Sequence, residues 1–277
     1  MKFPELSYAN SEHTPLQRWI IHRIEQLSGR DYFVPLYEVW RNDVVGKSDA
    51  AIAEMLHLLK ITLSIHQVGQ WPPDIKADEP LVMIANHPYG IADGIAMLSL
   101  AEQLGRPFKV LINKDLLKVP EILPYGIPID FDDNRNAMET NMRSRQVAID
   151  LLRSGTTIIV FPAGGVATAS NPFGRAQELP WKNFTARLIR SAEASVLPIY
   201  FEGQNGFVFH LASRLSLTLR VSFLIAEFRR MAGKNINVHI GPVTSFETLQ
   251  QHHKRKALTQ ELYELVHNLE PENLSNS

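Results

Sequence analysis

The 277-residue sequence contains no cysteine, which excludes disulfides, thiolate metal sites and a cysteine nucleophile. It also lacks an excess of either charge. With 28 basic side chains against 29 acidic ones and a formal net charge of -1, the positive field of a general nucleic-acid binder is missing, so no nucleic-acid partner is expected. Nowhere is there a stretch of about 18 uninterrupted apolar residues, the length that a membrane-spanning helix requires. The start, "MKFPELSYANSEHTPLQRWI", has no apolar run behind its lysine and does not read as a secretory signal. These absences favour a cytoplasmic protein whose membrane contact, if any, is peripheral on the inner face.

What is present is apolar material for a large core, 45% of residues. Leu16, Ile20, Ile24 and Leu27 recur at helical spacing behind Thr14 and Pro15, a cap and a first-turn proline. A second helical pattern runs from Ser48 to about Ile65, and "WPPD" at 71–74 breaks the chain. Short β-rich runs then alternate with helical ones: 81–85, 108–113, 127–131, 156–161, 195–201 and 236–240, with helices near 91–104, 136–153 and 182–193. The segment 214–233 fits either state. The expected class is α/β: a mixed, largely parallel sheet covered by helices, preceded by a helical N-terminal segment. The expected organisation is a helical segment over 1–75 packed on an α/β domain over 76–270, with a frayed tail over 271–277.

Chemistry concentrates in "MIANHPYGIADGIAML", 83–98. With 81–85 as a strand and a helix opening near residue 91, His87 stands at a strand end and Asp93 in the helix's first turn, where α/β folds collect function. A neutral imidazole can take a proton from a hydroxyl near neutral pH, and a carboxylate on its other nitrogen fixes the tautomer. The plain alternative is a surface histidine beside an aspartate that merely favours a helix N-terminus. Further on, Gly164 and Gly165 in "FPAGG" can turn sharply and bring backbone N-H groups together. No Lys followed by Ser or Thr comes after them, so this is not a nucleotide-binding loop. His210, His239, His252 and His253 form no recognisable metal set, and no bound metal or cofactor is expected.

Four ordered blocks give these residues a context. "NHPYGIAD" from Asn86, "PYGIPIDFDD" from Pro124, "FPAGG" from Phe161 and "VLPIYFEG" from Val196 resemble, in order, the blocks of the glycerolipid acyltransferases of the 1-acylglycerol-3-phosphate acyltransferase (lysophospholipid acyltransferase) type. "INKDLLKVP", with Lys114, resembles the family's A-K-x-E-L segment. The resemblance is nearest the hemolysin-like and ornithine-lipid acyltransferase branch. It implies transfer of a fatty acyl group from acyl carrier protein or coenzyme A thioester, as cosubstrate, to a hydroxyl of a lysophospholipid or lyso-aminolipid at a membrane surface. His87 would be the general base and Asp93 its partner. Asn86, Lys114, Arg135, Gly164, Gly165 and Arg175 are the expected substrate-binding residues.

The sequence departs from the family pattern at named places. Five residues rather than four separate His87 from Asp93; no arginine closes the second block, and Arg135 is the nearest; Ala163 stands where a glutamate is usual, and "GVAT" stands where "GTRS" is usual. The changed third block keeps two rivals open: an N-acyltransferase acting on an amine or amino acid, and a catalytically silent lipid-binding protein of the same fold. Apolar contact with lipid is expected from Trp19, Ile20 and Ile21 or from 204–215, although the same stripes could serve as core.

Overall fold

The computed structural model describes residues 2–9, 14–215, 217–250 and 255–271. The expected frayed tail therefore falls, from 272 onward, outside the described residues. Three helices come first: α1 (Pro15–Leu27), α2 (Arg30–Val39) and α3 (Ala51–Leu58). Thr14 caps α1 through a reciprocal pairing with Gln17, which satisfies two otherwise orphaned backbone donors. The α1 face turned inward carries Ile21 and Glu25, whereas Leu16, Trp19 and Leu27 are exposed. Buried Glu25 accepts hydrogen bonds from the Ser7 hydroxyl at 2.7 Å and the Tyr8 N-H at 2.7 Å.

The helical pattern from Ser48 does not run to Ile65. Helix α3 stops at Leu58, Lys60 takes φ +55, and the Ile61 N-H reaches back to the Leu56 carbonyl at 2.9 Å. A left-handed residue cannot continue a helix, and the chain leaves as strand β1 (Thr62–Gln67). The remaining strands are β2 (Leu81–Ala85), β3 (Phe108–Asn113), β4 (Gly126–Ile129), β5 (Thr157–Val160), β6 (Ser195–Phe201) and β7 (Asn235–Ile240). They form one seven-stranded sheet in the order β1-β7-β6-β2-β5-β3-β4, with every pairing parallel except β6 against β7. This is the expected α/β class with a mixed, largely parallel sheet.

Strands β2, β5 and β6 are buried along their whole length. That is why each reads as an unbroken apolar run instead of an alternation. Alternate residues still divide between the faces: Leu81, Met83 and Ala85 join the core under α3 and α4 (Ile91–Gln103), while Val82 and Ile84 join the core under α5 (Arg135–Arg153), α6 (Asn183–Ala192) and α10 (Arg255–His267). Within the undecided stretch 214–233 the described residues up to Met231 are helical: α7 (Phe207–Leu215) is followed by α8 (Leu217–Met231), and a four-residue α9 (Phe246–Leu249) precedes α10. Phe209 of α7 and Leu224 of α8 pack with Val166, so this helical pair covers the loop that follows β5.

Candidate active site

β2, β5 and β6 are parallel neighbours, so their C-terminal ends open on the same edge of the sheet. Three loops meet there. His87 comes from the loop after β2, Phe161 from the end of β5, and Glu202 from the end of β6. Pro88 disfavours a helical backbone at His87, and Gly90, with φ +86 and ψ -93, is the N-cap of α4. That left-handed glycine absorbs the extra residue between His87 and Asp93. A side chain there would also press on Leu224 and Val166, each 3.0 Å from an added Cβ.

The outcome is a close approach of His87 to Asp93. His87 Nδ1 lies 3.0 Å from Asp93 Oδ1, with the Asp93 side chain wholly buried and the imidazole 17% exposed. The approach is close but bent away from ideal hydrogen-bond angles, and neither atom has another partner among the described residues. Asp93 is held independently, because its Oδ2 accepts the Tyr89 N-H at 2.8 Å. The imidazole stacks on Phe161 at 4.1 Å between ring centroids. Tyr89 donates its hydroxyl hydrogen bond to the Glu202 carbonyl at 2.8 Å, and burial, then the Asp93 charge, pushes its pKa up to about 12. Tyr89 is therefore a neutral donor that ties the end of β2 to the end of β6.

Asn86 also ties these strands. Its Nδ2 donates to the Phe201 carbonyl at 2.9 Å and its Oδ1 accepts the Phe201 N-H at 2.7 Å. Both ends of the amide are thus occupied by β6 backbone. In the loop after β5, Ala163 is buried and Gly164 sits at φ +69. The Gly164 N-H is spent on the Phe161 carbonyl at 2.9 Å, while the Gly165 N-H has no partner among the described residues.

The charged residues named from the sequence divide. Lys114, at the end of β3, bonds Asp130 at 2.9 Å and Asp132 at 3.1 Å. Lys114 and the Asp132 backbone N-H hold the Asp130 carboxyl below the usual range, and the same two carboxylates raise the Lys114 ammonium. Arg135 projects into solvent from the start of α5 and pairs with Glu139 at 3.2 Å. Arg175 pairs with Glu270. Neither arginine touches His87 or Asp93. Two groups that the sequence did not single out do approach the loops of the site: Glu178, whose Oε1 accepts the His87 N-H at 2.9 Å, and Arg220 of α8, which donates to the Val166 carbonyl at 2.5 Å. The Arg220 guanidinium is lowered by burial. No group of three or more His, Asp and Glu side chains among the described residues is placed to hold a metal ion.

A family model described as Acyltransferase matches residues 60–256, which includes every loop of this site. The chain belongs to this acyltransferase family. The crystal structure of the 1-acyl-sn-glycerophosphate (LPA) acyltransferase PlsC from Thermotoga maritima is similar in fold, with 15% identity and a TM-score of 0.50 over 95% of this chain and 98% of that one. At that identity the likeness speaks for the fold. No curated protein matches the chain.

Proposed function

We propose that this acyltransferase moves a fatty acyl group from acyl carrier protein or coenzyme A to a hydroxyl of a lysophospholipid or lyso-aminolipid, with His87 as general base. The observation that carries the reading is the His87–Asp93 approach of 3.0 Å at the strand ends of an acyltransferase-family fold. With Nδ1 turned to Asp93, Nε2 is the nitrogen left to face substrate. It takes the proton of the acceptor hydroxyl while that oxygen attacks the thioester carbonyl. The tetrahedral oxyanion needs aimed donors, and the Gly165 N-H is the free backbone candidate in the loop after β5. Collapse of the intermediate breaks the carbon-sulfur bond, and the thiolate leaves with the proton that His87 had taken. Asp93, fixed by the Tyr89 N-H, holds the ring and stabilises the imidazolium between the two proton transfers.

The acceptor side of the site is unlike the family pattern. Lys114 is already engaged by two carboxylates, and "GVAT" stands where the third block usually carries "GTRS" with its arginine. That favours keeping an amine acceptor as the second reading, since an amine carries no negative charge to be met. No described helix is long and apolar enough to cross a membrane. Approach to a lipid acceptor is assigned here to the cytoplasmic face of the membrane, through exposed Leu16, Trp19 and Leu27 of α1 and exposed Phe173, Phe207 and Leu215 beside α7.

The test is mass spectrometry of total lipids from cells with and without the expressed chain, with a His87→Ala arm. A new acyl ester that disappears in that arm supports the hydroxyl reading, and a new amide supports the amine reading. A product that persists from folded His87→Ala protein eliminates the dyad mechanism.

A further inference from the structure

We propose that Glu178 is a positioning residue for His87, holding the backbone of the base from a loop that the C-terminal helix braces. The inference rests on the reading of His87 as the general base. His87 lies between two elements: β2 ends at Ala85 and α4 begins at Ile91. Its N-H is therefore absorbed by neither helix nor sheet. Instead its peptide groups are clamped on both sides. The N-H donates to Glu178 Oε1 at 2.9 Å, and the carbonyl accepts the Ala167 N-H at 2.8 Å. Ala167 belongs to the loop after β5 and Glu178 to the segment that precedes α6, so the position of the base is set by two different stretches of chain.

A carboxylate taken out of water needs partners, and Glu178, whose side chain is 7% exposed, has them. Its Oε2 accepts the Trp181 indole N-H at 3.0 Å and lies 3.3 Å from His267 Nε2. His267, the last residue of α10, is itself fixed. Its Nδ1 donates to the Tyr263 carbonyl at 2.9 Å, which can only accept, so Nε2 meets the carboxylate as a donor only in the doubly protonated ring. The ring also stacks on Tyr263 at 3.7 Å. Support thus runs from Tyr263 of α10, which meets the Trp181 ring edge-on at 5.4 Å between centroids, through the Trp181 indole N-H to Glu178 and on to the His87 backbone. In the third block, Ala163 provides no carboxylate; a second buried carboxylate beside His87, besides Asp93, comes from Glu178. Fixing the His87 backbone matters because a displacement on the order of 1 Å of a catalytic group can cost about a hundredfold in rate.

The variants that test this are Glu178→Ala, which removes the acceptor, and Glu178→Gln, which keeps an oxygen for the N-H. The first arm needs no substrate: deuterium exchange of the His87 amide in the purified full chain. It should quicken at least about tenfold in Glu178→Ala and stay near wild type in Glu178→Gln, as expected when a buried bond is opened locally. The second arm is the acylated lipid formed on expression, at matched levels of soluble protein. It should fall about ten- to a hundredfold in Glu178→Ala and recover to within a few fold in Glu178→Gln. Should Glu178→Ala not fold, Glu178→Asp, which shortens the reach by one methylene, should change both readouts in the same direction. Wild-type exchange with wild-type product in a folded Glu178→Ala protein overturns the inference. Loss of product in both variants with normal exchange overturns it as well. Product that persists in His87→Ala overturns the base reading and leaves the exchange arm to decide whether Glu178 holds the backbone.

Discussion

Replacing Asn86 with alanine should weaken the protein's fold before it touches any chemistry. The Asn86 amide makes two bonds of 2.9 and 2.7 Å with the backbone of Phe201, a residue that is 0% exposed. Alanine leaves that N-H and that carbonyl without their partner in a place water does not reach. Each such group costs about 1–3 kcal/mol, so the expected loss is about 2–6 kcal/mol. For a chain of this length the unfolding entropy converts that to a fall in melting temperature of about 3–10 °C. Asn86→Asp should be no better, because it keeps an acceptor for the Phe201 N-H but sets a carboxylate against the Phe201 carbonyl. Urea unfolding and differential scanning calorimetry measure the effect directly. An Asn86→Ala protein with an unchanged midpoint and melting temperature would refute the reasoning and return Asn86 to the role of a substrate contact.

Three further outcomes follow from particular contacts. Gly164→Ala forces a side chain onto φ +69 and brings it within 3.1 Å of Phe131; the melting temperature should fall by an amount matching about 1–2 kcal/mol, and an unchanged value would show that the loop adapts freely. In Lys114→Met the two carboxylates of Asp130 and Asp132 lose their shared ammonium. Because Lys114 lowers the Asp130 carboxyl in the folded state, its stabilising effect is present above the ordinary carboxylate range and disappears as pH falls through the lowered value. The urea-midpoint gap between wild type and variant should therefore close from about pH 7 towards about pH 3, and a gap independent of pH would contradict the pairing. Replacing Phe173 and Phe207, which are exposed and stacked at 5.5 Å, with serine should reduce cosedimentation with anionic phospholipid vesicles about tenfold; undiminished binding would remove that surface from the membrane contact.

The parts of this molecule that the sequence made legible are those where burial is uniform. The runs at 81–85 and 195–201 become central strands because both their faces are covered, which leaves continuous apolar sequence. Strand β1 was hidden for the opposite reason: it is an edge strand with no buried residue, and its alternation continues the spacing of α3 without a break. The turn at Lys60, with φ +55, leaves no mark in composition. His87 and Asp93 were legible because they are close in sequence and a glycine lies between them. Glu178 was not, since it reaches His87 across 91 residues from a loop with no period to read. Arg135 looked suitable by its position near the second block, yet in the first turn of α5 its side chain faces solvent and Glu139; direction around a helix is set by packing that spacing alone does not give.

The central claim is that His87 is the base of an acyl transfer, and the most direct measurement is the amount of acylated product made by folded His87→Ala protein against wild type. Loss of a base that also orients the acceptor should lower it by at least about 10²–10⁴-fold, in protein whose melting curve shows that the chain is folded. Product at wild-type levels from a folded His87→Ala chain would contradict the account.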